Sequence, residues 1–185
     1  MANKGPVSIL HIGKLTTTES ECLCVVHSLS PREALVKASL PFSPGQSVTL
    51  GLRNEFSVPA VVSIVQGEQI SLIFEEHVSI STILAQQRNG RDERAAVRLT
   101  IQMRTSIVTP QGVVGCMMQD ISLFGLKVLD EAGLLEEGEQ VQVTIDGLGK
   151  RDALVRWRQH PYAGLRFQVP LGFKLLDQWA TQRNM

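Results

Sequence analysis

The chain has 185 residues, enough for one or two small domains, and its 43% apolar content with only 5% aromatics points to a core of Val, Leu and Ile. Its 18 basic and 18 acidic residues give a formal net charge of zero. A general DNA binder needs a broad basic surface, so we expect no DNA partner. A small anionic ligand needs only a local cluster of cations and stays compatible with this composition.

The sequence also indicates where the protein works. No apolar run approaches the roughly 18 residues of a membrane span, so we expect no membrane insertion. Residues 1–6 lack the apolar core of a signal peptide. Three cysteines, an odd number, suit a reducing cytosol better than a disulfide framework. We therefore predict a cytoplasmic protein.

Short apolar or alternating runs, separated by turn residues, fill the first half and favour β-strands. The predicted strands are residues 7–12, 21–27, 34–40, 47–52, 57–66 and 69–74, with a polar loop at 14–21. Short strands at regular spacing suggest a barrel or a sandwich. Residues 78–87 have the apolar spacing of a short helix. The polar residues 86–93 are expected to form a linker.

The second half shows the same pattern and ends in a predicted helix. Its predicted strands are residues 99–109, 113–119, 126–129, 140–145, 150–159 and 162–168. Residues 172–183 carry Phe173, Leu176 and Trp179 at near-helical spacing, which predicts a helix packed on this half. We expect Trp157 and Phe167 to lie in the core.

The two halves align on each other almost without gaps, which indicates a tandem duplication. Ser30 aligns with Ser122, and Phe74 with Phe167. Equal spacings at several other positions support two copies of one fold. The chance likeness of small β-domains is the alternative.

Two motifs in the second half carry the candidate chemistry. The first is Arg94-x-x-x-Arg98, and guanidinium forks match phosphate oxygens and never lose their charge near neutral pH. The second is Asp120-x-Ser122-x-x-Gly125, which offers an acceptor, a hydroxyl and a position where backbone can approach closely. Together they predict a pocket for a ligand with phosphates and purine rings.

These motifs, in this order and followed by Val155-Arg-Trp157 and Gly164-Leu-Arg-Phe167, resemble the PilZ family of bacterial receptors for cyclic di-GMP. The resemblance implies an all-β chain of two small six-stranded β-barrels in tandem, with a C-terminal helix. The implied domains are a degenerate copy at 1–85, the linker at 86–93 and a PilZ domain at 94–185.

The resemblance also implies roles for single residues. Arg94 and Arg98 would bind the phosphates and one guanine, and Arg91 would add a further contact. Asp120 would accept from the guanine N1–H and amino group, a pattern that adenine does not offer. Ser122 would anchor the turn or contact the ligand.

The resemblance also bears on the space at the site, on the number of ligands bound and on the first copy. Gly125 would leave room for the backbone. The acidic residues Asp92 and Glu93 would disfavour a second bound dinucleotide, so one ligand per site is expected. The first copy has Ser28 and Glu33 where the second has Asp120 and Gly125, so we expect it not to bind.

The predicted function is a cyclic di-GMP receptor in which ligand orders the linker, changes the orientation of the barrels and so signals to an unknown downstream protein. The alternative is an adaptor of the same fold that binds protein partners without the nucleotide. A binder of single-stranded nucleic acid is a weaker third idea, because exposed-looking aromatics are few. No catalytic constellation, cofactor motif or metal-ligand spacing is visible, so we predict a protein that is not an enzyme and holds no metal.

Overall fold

The computed structural model describes residues 7–53, 56–81 and 96–183. The chain divides into two compact units, residues 1–97 with 180–185, and residues 98–179. The first group of strands is β1 (Val7–Thr16), β2 (Glu21–Leu29), β3 (Glu33–Ala38), β4 (Ser47–Arg53), β5 (Phe56–Gln66) and β6 (Gln69–Phe74). The second is β7 (Leu99–Thr109), β8 (Gly112–Ile121), β9 (Gly125–Leu129), β10 (Gln140–Ile145), β11 (Gly149–Gln159) and β12 (Tyr162–Phe167), followed by helix α1 (Phe173–Arg183). The predicted domain bounds at 85, 86–93 and 94 stay a prediction.

Each group of six strands closes into an antiparallel barrel, which confirms the predicted fold class and decides between barrel and sandwich. The strand order is β1-β2-β3-β6-β5-β4 in the first barrel and β7-β8-β9-β12-β11-β10 in the second, so the two share one topology. Side chains alternate between the interior and solvent, as the period of a strand requires. Leu15, Leu50 and Leu72 are fully buried in the first core, and Ile107 and Leu126 in the second.

The two barrels also share their irregularities, which supports the predicted duplication. The β1–β2 pair shifts register between Ser8 and His11, and the β7–β8 pair shifts at the equivalent Thr100 and Met103. A second bulge interrupts β2–β3 and β8–β9, and a third interrupts β5–β6 and β11–β12, again at equivalent positions. Bulges bend a strand and redirect its side chains, so three shared bulges give both barrels the same local shape.

Backbone hydrogen bonds in the loops repeat in the same way. The N–H of Ser30 donates to the carbonyl of Glu33 at 2.8 Å, and the N–H of Ser122 donates to that of Gly125 at 2.8 Å. The turn after β3 and the turn after β9 are likewise tied to β5 and β11 by N–H donors at Gly45 and Gly138, both at 2.8 Å. The equivalences predicted from sequence, Ser30 with Ser122 and Glu33 with Gly125, are thus equivalences of structure.

Helix α1 packs on the second barrel through one apolar face, as predicted. Leu176 is fully buried and Trp179 is 4% exposed. The indole N–H of Trp179 donates to the backbone carbonyl of Asp146 at 2.8 Å, just after β10. A buried indole keeps its donor satisfied in this way, and the bond fixes the helix against the barrel.

In the first half, β1 extends further than predicted. The predicted loop at 14–21 is wrong for its first residues, because β1 runs through Thr16. Leu15 is fully buried and pairs with Cys22 on one side and Leu50 on the other, so neighbouring strands hold it in the sheet. The helix predicted at 78–87 falls mostly outside the described residues.

Candidate ligand-binding site

Arg98 and Asp120 meet at one end of the second barrel. Arg98 immediately precedes β7, and Asp120 lies near the end of β8, where it pairs with Thr100 in register. Arg98 Nη1 donates to Asp120 Oδ1 at 2.6 Å, and both side chains are partly exposed, at 29% and 17%. A charge-assisted bond at this distance orients both groups. The two sequence motifs are thereby joined, although 22 positions separate the residues.

Lys127 adds a second cation to this carboxylate. It lies opposite Asp120 in the β8–β9 pair, with Nζ 3.7 Å from Asp120 Oδ2. Its Nζ also lies 5.2 Å from the centroid of the Tyr162 ring, within cation–π range. Arg98 and Lys127 together outnumber the single charge of Asp120. The described part of the site therefore presents a net positive charge, which favours an anionic ligand.

Ser122 anchors the turn between β8 and β9. It is 1% exposed. Its hydroxyl donates to the carbonyl of Gly125 at 3.2 Å and accepts from the N–H of Phe124 at 3.2 Å. This geometry supports the first of its two predicted roles, that of turn anchor. Its direct contact with a ligand stays a prediction.

Gly125 is required by a close approach of two strands. A Cβ built on it would overlap the carbonyl oxygen of Leu165 on β12, with the carbonyl carbon at 3.0 Å and Arg166 Cα at 3.1 Å. The obstacle is backbone, which cannot swing away as a side chain can. The space that a side chain would need is therefore filled by the protein itself. Room for a ligand at Gly125, the role inferred from the motif, stays a prediction.

Trp157 is the aromatic residue that sequence reasoning misplaced. It is 39% exposed, so its predicted core position is wrong, whereas Phe167 at 2% exposed is in the core as predicted. The cause is the bulge between Val155 and Trp157. Val155 points inward, and strict alternation would send Trp157 inward too, but the extra residue turns it to the outer surface. The indole lies on Gly164, because a Cβ there would overlap its ring.

Four of these residues form one row across the outer surface, which we call the site row. In register, Asp120 on β8 pairs with Lys127 on β9, Lys127 with Gly164 on β12, and Gly164 with Trp157 on β11. Three strand spacings of about 4.8 Å make the row about 14 Å long at the backbone. A ligand that touches both its carboxylate and its indole is thus larger than a single base.

The predicted site residues divide into two sets. The first set is described and lies just before β7, near the end of β8, and in the turn to β9 with its first residue: Arg98, Asp120, Ser122 and Gly125. Arg91 and Arg94 lie outside the described residues. Sequence reasoning missed Lys127. Its signal was the outward alternation of β9, which places it beside Asp120 once β8 and β9 are paired.

Other chemistry is weakly represented in the described parts of the chain. Burial, with the carboxylate of Asp130 as a smaller cause, raises the pKa of the Cys116 thiol to about 11, which disfavours a reactive thiolate. In residues 7–53, 56–81 and 96–183, no group of three or more His, Cys, Asp or Glu could hold a metal ion. Within the same residues, no helix is long and apolar enough to cross a membrane.

Comparison with known proteins finds a likeness in the second half. The PilZ domain model matches residues 92–180. No curated protein sequence matches the chain.

Three solved structures resemble it at low identity. The PlzA protein of Borreliella burgdorferi in complex with c-di-GMP is 12% identical, with a TM-score of 0.40, over 95% of this chain and 93% of that one. The Bacillus subtilis inhibitor of motility, MotI/DgrA, is 15% identical, with a TM-score of 0.40, over 96% and 97%. YcgR of Escherichia coli in complex with c-di-GMP is 14% identical, with a TM-score of 0.36, over 93% and 81%. At such values these structures carry no argument, and the finding that bears on this chain is the match of residues 92–180 to the PilZ domain model.

Proposed function

We propose that the chain is a receptor for cyclic di-GMP and that the dinucleotide binds on the second barrel. The observation that carries the proposal is the meeting of Arg98, Asp120 and Lys127 at one end of a strand row whose other end is the exposed indole of Trp157. A purine dinucleotide offers phosphates that cations bind, base edges that an acceptor can recognise, and base faces that stack on an aromatic ring. The match of residues 92–180 to the PilZ domain supports it independently.

Each group has a defined task in this proposal. Arg98, with Arg94 four residues before it, binds phosphate oxygens and a guanine edge. Asp120 accepts from the N1–H and amino group of guanine, and adenine lacks this pair of donors. The ion pair between Arg98 and Asp120 holds both groups in place before ligand arrives, so less side-chain entropy is lost on binding.

Other residues complete the site. The indole of Trp157 stacks on a purine, and Lys127 adds positive charge between base and phosphate. Ser122 and Gly125 keep the turn that presents Asp120. Arg91 is proposed as a further phosphate or stacking contact.

Isothermal titration calorimetry tests the proposal. Wild-type protein should bind cyclic di-GMP near one per chain and discriminate against cyclic di-AMP. Arg98→Ala should abolish binding, since phosphate charge and the orientation of Asp120 are lost together. Arg104→Ala is the matched control, because Arg104 is an exposed arginine on β7, the strand that Arg98 immediately precedes. Equal affinities for the two dinucleotides, or equal effects of the two variants, would contradict the assignment.

We also propose how ligand binding is transmitted to a downstream protein. Residues 86–93 lie between the two barrels in sequence and outside the described residues. We propose that the ligand orders this segment, changes the orientation of the barrels and thereby exposes a surface to a downstream protein. Small-angle X-ray scattering of wild type and Arg98→Ala, each with and without ligand, tests this. A ligand-dependent change in radius of gyration is expected in wild type alone, and its absence from wild type that binds the ligand would refute the step.

A further inference from the structure

The first barrel carries an aliphatic surface at the place where the second carries its site row. Ser28 on β2 pairs with Leu35 on β3, Leu35 with Ser71 on β6, and Ser71 with Ile64 on β5. By the shared bulges these positions correspond to Asp120, Lys127, Gly164 and Trp157, in that order. The charged groups and the indole of one barrel are thus replaced by small or aliphatic side chains in the other.

The bulge that turns Trp157 outward acts in the same way on Ile64. The β5–β6 register shifts between Val62 and Ile64, and Val62 is buried while Ile64 is 53% exposed. Ile73, the equivalent of Arg166, is 48% exposed and pairs directly with Val61. We call Leu35, Val61, Ile64 and Ile73 the aliphatic face. Scattered apolar residues are common on surfaces, but neighbours on three adjoining strands form a patch.

Unpaired carboxylates border this face. Glu33 lies opposite Ile73 in the β3–β6 pair. Glu75 follows two positions after Ile73, and its N–H donates to the carbonyl of Pro59, which holds it alongside β5. Among the residues that the structure describes, neither carboxylate forms an ion pair, whereas Lys37 is bound to Glu68 at 3.0 Å. The border is therefore acidic.

A cation also lies close to this border. The Arg32 guanidinium, which donates to His77 at 2.7 Å, is outnumbered by the two carboxylates of Glu33 and Glu75. The local charge is negative even when Arg32 is counted. A partner that covers the face therefore meets net negative charge at its edge.

We propose that the aliphatic face docks a protein segment whose aliphatic side chains are flanked by Lys or Arg. Aliphatic side chains on the partner remove the face from water, and basic flanks compensate the acidic border, which favours correct orientation and fast association. The first barrel is a closed ring of strands, so the segment contacts side chains rather than adding a strand to an edge. The proposal does not depend on nucleotide binding.

A library of short peptides with defined composition tests the proposal with the full chain. One set has aliphatic centres and Lys flanks, a second has the same centres with Glu flanks, and a third has Ser centres with Lys flanks. Wild type should prefer the first set over both others by about tenfold, the equivalent of about 1.4 kcal/mol. Ile73→Ser should remove the preference. Val113→Ser, which changes a 70%-exposed valine of the second barrel, should leave it intact.

A charge reversal makes the test sharper. The double variant Glu33→Lys/Glu75→Lys should transfer the preference from Lys-flanked to Glu-flanked peptides. Equal binding of all sets, no binding of any, or a preference that survives Ile73→Ser overturns the proposal. It is also overturned if sedimentation shows a wild-type dimer that Ile73→Ser dissociates, because the face is then covered by a second copy of the chain. Titration of the same variants with cyclic di-GMP keeps this result separate from the receptor proposal.

Discussion

Replacing Gly125 by alanine should destabilise the second barrel severely. The new Cβ would overlap the Leu165 carbonyl oxygen, and backbone on β12 can yield only if β9 and β12 separate. Overpacking of this kind costs about 1–3 kcal/mol. Weakening one hydrogen bond of the Gly125–Arg166 pair would add about 1 kcal/mol. We therefore expect a loss of about 2–4 kcal/mol in the free energy of unfolding.

Urea unfolding followed by intrinsic fluorescence measures this loss on the relevant barrel. The chain has two tryptophans, Trp157 on β11 and Trp179 on α1, and both report on the second barrel. At an m-value of about 1 kcal/mol per M, the midpoint for Gly125→Ala should fall by about 2–4 M, or the domain should be unfolded without urea. Gly115→Ala on β8 is the control, because a Cβ there meets nothing within 4 Å.

The result distinguishes two roles of this glycine. If Gly125 mainly leaves room for a ligand, Gly125→Ala should lose affinity for cyclic di-GMP while its midpoint stays near that of Gly115→Ala. That outcome would refute the strand-contact reasoning. A lowered midpoint without ligand supports it, because no ligand is present to be obstructed.

Three further predictions concern the same barrel. Trp157→Ala should weaken cyclic di-GMP binding by about 1–3 kcal/mol in calorimetry, because a stacked base loses its aromatic face. A ligand stacked on Trp157 should also change the protein's fluorescence, and Trp179→Phe should keep this change; a full fluorescence change in Trp157→Ala would exclude stacking. Asp120→Asn should lower the ratio of the affinities for cyclic di-GMP and cyclic di-AMP by at least about tenfold, and an unchanged ratio would show that Asp120 does not recognise the base. The free energy of unfolding should fall by no more than about 1 kcal/mol, because the ion pair of Asp120 is partly exposed. Burial and Asp130 raise the pKa of Cys116 to about 11, so at pH 8 it should react with iodoacetamide much more slowly in the folded protein than in the urea-unfolded chain, and equal alkylation rates would contradict its burial. Because the folded protein holds this proton more tightly than the unfolded chain, the resulting stabilisation should be full below pH 9 and lost as the pH rises through about 11.

Much of the fold was predictable because it depends on local alternation and on repetition. Alternation of inward and outward residues recurs along the strands, and the pattern occurs twice, so each half supports the assignment of the other. β1 was the exception at its C-terminal end. Its Thr-rich continuation looks like a loop in isolation, and only pairing of Leu15 with β2 and β4 keeps it extended.

The site was predictable only where a motif spans it. Arg98 and Asp120 belong to two motifs whose spacing suggested one pocket, and the ion pair unites them. Lys127 belongs to no motif of the sequence, and Trp157, although part of the Val155-Arg-Trp157 motif, was expected in the core. Lys127 lies in the site because the β8–β9 register places it beside Asp120, and Trp157 because a bulge turns its side chain from the interior to the outer surface of the barrel. Register and bulges are set by pairing between distant strands, which alternation within one strand does not reveal.

The repeat shows which features belong to the barrel and which to one site. The topology tolerates a side chain at the position of Gly125, because Glu33 occupies it in the first barrel and pairs with Ile73 as Gly125 pairs with Arg166. The requirement for glycine therefore arises from the close approach of β9 to β12 in the second barrel, and not from the closure of six strands into a barrel. The same bulge turns a residue outward in both copies, so the backbone supplies an exposed position and the side chain alone decides its use. An indole there suits a purine, and an isoleucine there suits another protein.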